Sequence, residues 1–122
     1  MSDNRKTFTF ISRSAPYGCN RPQLCLDAAL ATAVFEQQVS YLFLGDGVYQ
    51  LLKDQQGDAI SSKTLSNGME TLDLYGVERV FVDEESLRQR KLDTEDLTLT
   101  VELLTGQQVK SLVRESDHVI NL

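Results

Sequence analysis

The sequence predicts an α/β fold of three layers, α/β/α, built around a mostly parallel five-stranded sheet. Three observations predict it. Strand-like and helix-like segments alternate along the chain, and that order gives a parallel sheet with helices on both faces. The run Val39-Ser40-Tyr41-Leu42-Phe43-Leu44 is largely apolar without alternation and stops at Gly45-Asp46-Gly47, as does a strand buried on both faces. Leu26, Ala29, Leu30, Ala33 and Val34 recur at helical spacing, the pattern of a helix laid on a core.

The elements come in order. Thr7–Ser12 is rich in β-formers and reads as the first strand. Pro16 and Gly18 break the chain into a loop over Ser14–Asn20. Pro22 suits the first turn of the next helix, where its missing N–H costs nothing. Val39–Gly45 is the second strand, and Val48–Leu52 is helix-like. Lys53–Asp58 is a polar loop; Ser61 or Ser62 then caps a helix carrying Leu65, Met69 and Leu72, interrupted at Asn67-Gly68 and closed by Gly76. Arg79–Val82 is the third strand. Asp83 caps Glu84–Arg90, whose acids precede its bases as the helix dipole favours. Leu97–Leu103 alternates as a fourth strand. Thr105 and Gln108 form a capping box for the helix bearing Val109, Leu112 and Val113, and His118–Leu122 is the fifth strand. Right-handed crossovers are expected. Residues 1–122 contain no repeat or linker and read as one domain.

Composition narrows the function. The 122 residues suit a single core, and a net charge of −6 opposes direct contact with nucleic acid, which needs clustered Lys and Arg. No apolar stretch approaches the ~20 residues of a membrane span, and no leader pattern precedes the first strand, so the cytoplasm with reduced thiols is the expected compartment. Cys19 and Cys25 lie six positions apart, neither a redox pair nor, with His118 alone beside them, a zinc set.

The loops after the first three strands, Ser12–Asn20, Asp46-Gly47 and Asp83-Glu84, should meet at the carboxyl rim of the sheet, where such folds place their sites. Ser14, Tyr17, Asp46, Gly47 and Asp83 are what this rim offers to a ligand or to a partner. Neither phosphate motif is present, and Asp46 would repel a phosphate. Asp83 occupies the position of a phosphoacceptor, yet no acidic pair follows the first strand to hold magnesium, and a helix cap explains it better. Cys19, beside Arg21 and a helix start, is the candidate nucleophile; Cys25, three residues on from Pro22, reads as a buried, inert thiol. Tyr17, Tyr41, Tyr49 and Tyr75 read as core-edge or interface residues. No cofactor or metal is implied. A sulfurtransferase using Cys19 and a small-ligand-binding α/β module both stay open.

Several segments resemble one family. Phe10–Gly18, with its Ser-Ala-Pro-Tyr-Gly loop, Leu26-Asp27-Ala28-Ala29-Leu30-Ala31-Thr32, Asp46-Gly47-Val48-Tyr49-Gln50-Leu51-Leu52, Leu74–Glu78 and Ser86–Leu92 are similar to blocks of the DsrF/TusC family, within the DsrE-like sulfur-relay proteins. The resemblance covers nearly the whole chain. It implies a cytoplasmic subunit of a heterohexamer, two copies each of three homologous chains, with TusB-like and TusD-like (DsrH- and DsrE-like) partners. That complex passes persulfide sulfur towards 2-thiouridine at the tRNA wobble position. The family's sulfur carrier has a cysteine after its third strand; here Asp83, Glu84 and Glu85 occupy that place, so the resemblance implies a non-catalytic subunit. A carboxylate cannot accept sulfane sulfur, and three acids disfavour a thiolate nearby.

Overall fold

The computed structural model describes residues 6–15, 20–35, 37–51, 77, 79–97 and 101–122. Strands β1 (Thr7–Ser12), β2 (Gln38–Phe43), β3 (Arg79–Asp83), β4 (Glu102–Leu104) and β5 (His118–Asn121) form one sheet in the order β4-β3-β2-β1-β5. Every pairing is parallel. Helices α1 (Arg21–Val34), α2 (Glu84–Gln89) and α3 (Gly106–Glu115) lie between strands, with 3-10 turns at Gly45–Leu51 and Thr94–Asp96.

Strand order dictates where the helices go. The chain steps one way from β1 to β4, then returns across the sheet to β5. Right-handed crossovers therefore place α1 and α2 on one face and α3 on the other. Adjacent strand residues point to opposite faces, and two clusters show the division. Phe10, Tyr41, Phe43 and Val82 pack with Leu26 and Ala29 of α1 and Leu87 of α2. Ile11, Leu42 and Phe81 pack with Leu104 and with Leu112 of α3. The central strands are thus apolar on both sides, which is why β2 shows no alternation.

Several local expectations hold in detail. Asp83 caps α2, accepting from the Ser86 N–H. Thr105 and Gln108 form the reciprocal capping box of α3. Acids lead α2 and Arg88 stands in its last turn, with Arg90 as the C-cap rather than within the helix.

Others are revised. The second strand ends at Phe43 rather than Gly45. The Leu44 N–H still reaches the Ser12 carbonyl, and Gly45 then turns the chain at φ +54. Gly45 to Leu51 form a 3-10 turn, in place of a helix from Val48. The fourth strand pairs with β3 over Glu102–Leu104 among the described residues. Upstream, Asp93 and Asp96 cap each other around a 3-10 turn over Thr94–Asp96, and Leu97 after it is extended. Tyr41 is not at the core's edge; it is fully buried on the α1 face. The helix expected from Ser61 or Ser62 to Gly76, the loop at Lys53–Asp58, Tyr17, Cys19, Leu74 and Tyr75 lie outside the described residues.

Gly47 is a position where space decides. A Cβ there would stand 2.0 Å from the Ser12 carbonyl oxygen, a backbone atom that cannot move aside. Gly47→Ala is expected to cost about 2–3 kcal/mol, seen as a fall in Tm of about 8 °C or more in thermal unfolding. Gly106→Ala is the matched control: nothing lies within 4 Å of its added Cβ, so Tm should hold or rise slightly, since Ala is the better helix former.

Candidate functional site

The carboxyl ends of β1, β2 and β3 stand in register, with Ser12 beside Phe43 and Phe43 beside Val82. The three loops meet there as strand order requires. From β2, the turn at Gly45 sends its N–H to the Ser86 hydroxyl at 2.8 Å. Ser86, buried at the start of α2, donates that hydroxyl to Asp83 at 2.7 Å, while its own N–H also goes to the Asp83 carboxylate. One carboxylate therefore caps α2 and, through Ser86, holds the glycine turn.

A second set of contacts crosses the same junction. Arg90, at the C-cap of α2, donates to Asp46 from two nitrogens, at 2.9 and 3.2 Å, and to the Ser86 carbonyl at 3.1 Å. Its guanidinium lies 5.8 Å from the centre of the Tyr49 ring, in cation–π range. Asp46 is 61 % exposed, so the ion pair itself contributes about 0–1 kcal/mol. Its effect is to orient the turn.

The loop after β1 is tied down from the same turn. The buried Gln50 donates from its amide nitrogen to the Ser12 hydroxyl at 2.7 Å and to the Ser14 carbonyl at 2.8 Å. Of the residues expected at the rim, the structure thus joins Ser14, Asp46, Gly47 and Asp83 in one arrangement. Tyr17 and Cys19 lie outside the described residues. Sequence reading missed Ser86, Gln50 and Arg90, the residues that connect them. The signal available was faint: Ser86 sits three positions after a cap, and Gln50 interrupts an apolar run.

Beneath the rim is a buried polar cluster. Cys25 is fully buried, its thiol 4.0 Å from the Ile11 carbonyl. The Tyr41 hydroxyl lies against Cys25 and Ser12 without a hydrogen bond of good geometry. Burial pushes the Cys25 thiol up from its ordinary 9.0, partly offset by the Tyr41 and Ser12 hydroxyls. Burial also lifts the Tyr41 phenol well above its ordinary 10.0, with Cys25 adding to the shift. A thiol held neutral and shielded is a poor nucleophile, so Cys25 matches the inert thiol expected of its helical position. His118 is exposed and stacks on Phe8, 4.8 Å between ring centres.

A cavity of about 200 Å³ opens at a different place, between β3, β4 and α3, lined in part by Arg79, Phe81, Glu102, Leu104, Leu112 and Glu115. Arg79 begins β3 and lies over the Phe81 ring at 5.1 Å. This cavity is away from the carboxyl rim. Among the described residues, no helix is long and apolar enough to cross a membrane.

These features define a class: a small, wholly parallel five-stranded α/β protein whose three central strand ends are joined by a glycine turn, a serine and a capping carboxylate. Comparison places it more closely. The chain belongs to the DsrE/DsrF-like family, whose model matches residues 6–122. It is 37 % identical over 113 residues to a Protein TusC homolog of Vibrio parahaemolyticus, covering 93 % of this chain and 96 % of that one. It is 36 % identical over 135 residues to the intracellular sulfur oxidation protein DsrF of Allochromatium vinosum, covering 99 % of each. In fold it is similar to the YchN protein of E. coli, with a TM-score of 0.79 at 21 % identity over 96 % of this chain and 99 % of that one.

The rim and the cluster below it lead to two expected outcomes. Ser86→Ala strands the Gly45 N–H and half-releases Asp83; a loss of about 1–3 kcal/mol is expected in urea unfolding, whereas Arg90→Ala, which removes the exposed ion pair, should cost less. The folded state holds Cys25 and Tyr41 neutral, while the unfolded chain ionises at the ordinary values of 9.0 and 10.0. Stability is therefore full below pH 9.0 and falls as pH climbs through both values; Tyr41→Phe should flatten the upper part of that fall when unfolding is measured against pH. In a Cys19→Ser background, alkylation of Cys25 should proceed only after denaturant is added.

Proposed function

We propose that this chain is a non-catalytic subunit of a cytoplasmic sulfur-relay complex, a heterohexamer with TusB-like and TusD-like partners, that supports 2-thiouridine formation at the tRNA wobble position. The observation that carries this reading is similarity along almost the whole chain to proteins named TusC homolog and to one named for intracellular sulfur oxidation. The local chemistry supports the non-catalytic part. β3 runs into Asp83, whose carboxylate is occupied with Ser86 as the cap of α2. Cys25, the thiol among the described residues, is buried and held protonated. The rim that joins Ser14, Asp46, Gly47 and Asp83 then serves as a shaped surface for a neighbouring subunit. Sulfur reaching the complex would be carried on a partner's cysteine.

Co-expression with the two homologous small chains should yield one assembly containing all three, read by native mass spectrometry. A chain that stays apart from both overturns the proposal. Incubation of the assembly with a persulfide donor should load a partner and leave this chain unmodified; sulfur on Cys19 would instead favour a sulfurtransferase.

A further inference from the structure

The cavity between β3, β4 and α3 follows from how the sheet is covered. Among the described helices α3 alone packs on this face. A helix is about 10 Å across, whereas five strands at a spacing of about 4.8 Å span about 19 Å, so one helix leaves a gap over the edge pair. The pleat decides what lines that gap. Alternate residues share a face of a strand, so Arg79 and Phe81 of β3 stand together, as do Glu102 and Leu104 of β4. The register sets Glu102 beside Phe81 and Leu104 beside Asp83. From α3, Ser111 and Leu112 lie four and three positions before Glu115 and share the stripe that faces the strands.

The floor of the cavity is apolar and its walls are charged. Phe81, Leu104 and Leu112 are buried, while Arg79, Glu102 and Glu115 are exposed. Diagonal neighbours on adjacent strands are about 7–8 Å apart, within reach of long side chains, so Arg79 and Glu102 are placed to pair. They do not. Among the described residues the ion pairs are those of Arg88 with Glu85 and of Arg90 with Asp46. The Arg79 guanidinium lies over the Phe81 ring instead, 5.1 Å from its centre. Stacking fixes the guanidinium plane and leaves its N–H edge to receive a carboxylate. Glu115 is the last residue of α3, where the helix dipole is negative and a carboxylate is disfavoured. Together with Glu102 it makes the cavity attract a cation.

We propose that this cavity binds a small zwitterion of the α-amino-acid class. The ligand's carboxylate takes the N–H edge of Arg79, its ammonium lies towards Glu102 and Glu115, and its side chain rests on Leu104 and Leu112. A simple anion would face two carboxylates with one guanidinium to offset them, and a simple cation would leave Arg79 unmatched; a molecule carrying both charges answers all three. An apolar floor with a few convergent polar groups is the usual form of a small-ligand site. The volume of about 200 Å³ is below the ~300–1,000 Å³ of sites for drug-sized molecules, which limits the ligand to a small amino acid. The site lies away from the rim, and its occupancy does not rest on the proposed sulfur-relay role.

Titration of the isotope-labelled full chain with L-valine, followed by NMR, tests it. Backbone amides of Arg79–Phe81 and Ser111–Glu115 should shift together, with a Kd of about 1 mM. Isovalerate lacks valine's ammonium and isobutylamine lacks its carboxylate; each should bind about tenfold more weakly or worse, because each leaves part of the site unmatched. Arg79→Gln should weaken valine about tenfold and leave isobutylamine as it was. Glu115→Gln should weaken valine and isobutylamine and leave isovalerate no weaker. Both side chains are exposed, so Tm should hold. Amides that stay unmoved up to about 50 mM valine, far above that Kd, overturn the inference. So do folded variants that bind valine as the wild type does. Either half-ligand binding as tightly as valine overturns the zwitterion assignment. A chain that binds valine yet joins neither partner leaves the inference standing while the proposed function fails; assembly without valine binding gives the reverse.

Discussion

The close approach of Gly47 to the Ser12 carbonyl organises the carboxyl end of the sheet. The chain leaves β2 and must turn back over the end of β1 within a few residues. It does so because Gly45 takes φ +54 and Gly47 presents no side chain to a carbonyl that would stand 2.0 Å from it. That one fit has three consequences. Gln50 reaches Ser12 and Ser14, the Gly45 N–H reaches Ser86, and Asp46 reaches Arg90. Each joins a different strand end or its helix to the same turn. The rim is therefore one cooperative unit, held by backbone geometry rather than by surface charge.

The sheet beneath it is covered unequally. Among the described helices, α1 and α2 pack on one face and α3 on the other. The single reversal of direction, from β4 back to β5, is enough to produce this, because crossover handedness allows no other arrangement. The helices themselves differ in degree: α3 exposes Gln107, Lys110, Ser111 and Arg114 with Val113 beside them, and α1 exposes Leu24, Ala31, Val34 and Phe35 together with Arg21 and Asp27. Burial of Cys25 and Tyr41 between α1 and β2 further marks this as the side on which the chain concentrates its apolar surface. Chemistry that needs a thiolate would have to look elsewhere than Cys25, since its environment favours the neutral form.

Much of this was legible from residues alone, for identifiable reasons. Asp83 and Thr105 are caps whose partners lie three positions away, and such contacts survive from sequence to structure because they are local. The all-apolar character of β2 announced burial on both faces. The Asp46-Gly47-Val48 block marked a turn. The alternation of Leu97–Leu103 marked a strand, and among the described residues Glu102–Leu104 pair with β3 over Phe81–Asp83. What misled was also local. Val48–Leu52 has a helical pattern, but a turn anchored at Gly47 keeps the tighter 3-10 geometry.

The sequence by itself determined the alternating α/β order, the parallel sheet that order entails, the caps, and membership of a family whose motifs run along the chain. These depend on residues close together, or on the one-dimensional order of elements. The tertiary structure decided the rest: that strands run β4-β3-β2-β1-β5, that Ser86, forty-one positions from Gly45, holds its turn, and that Tyr41 is sealed in the core. The strand order and the contacts of Ser86 and Tyr41 depend on which distant segments the sheet brings within hydrogen-bonding or van der Waals reach, and no local pattern encodes that distance.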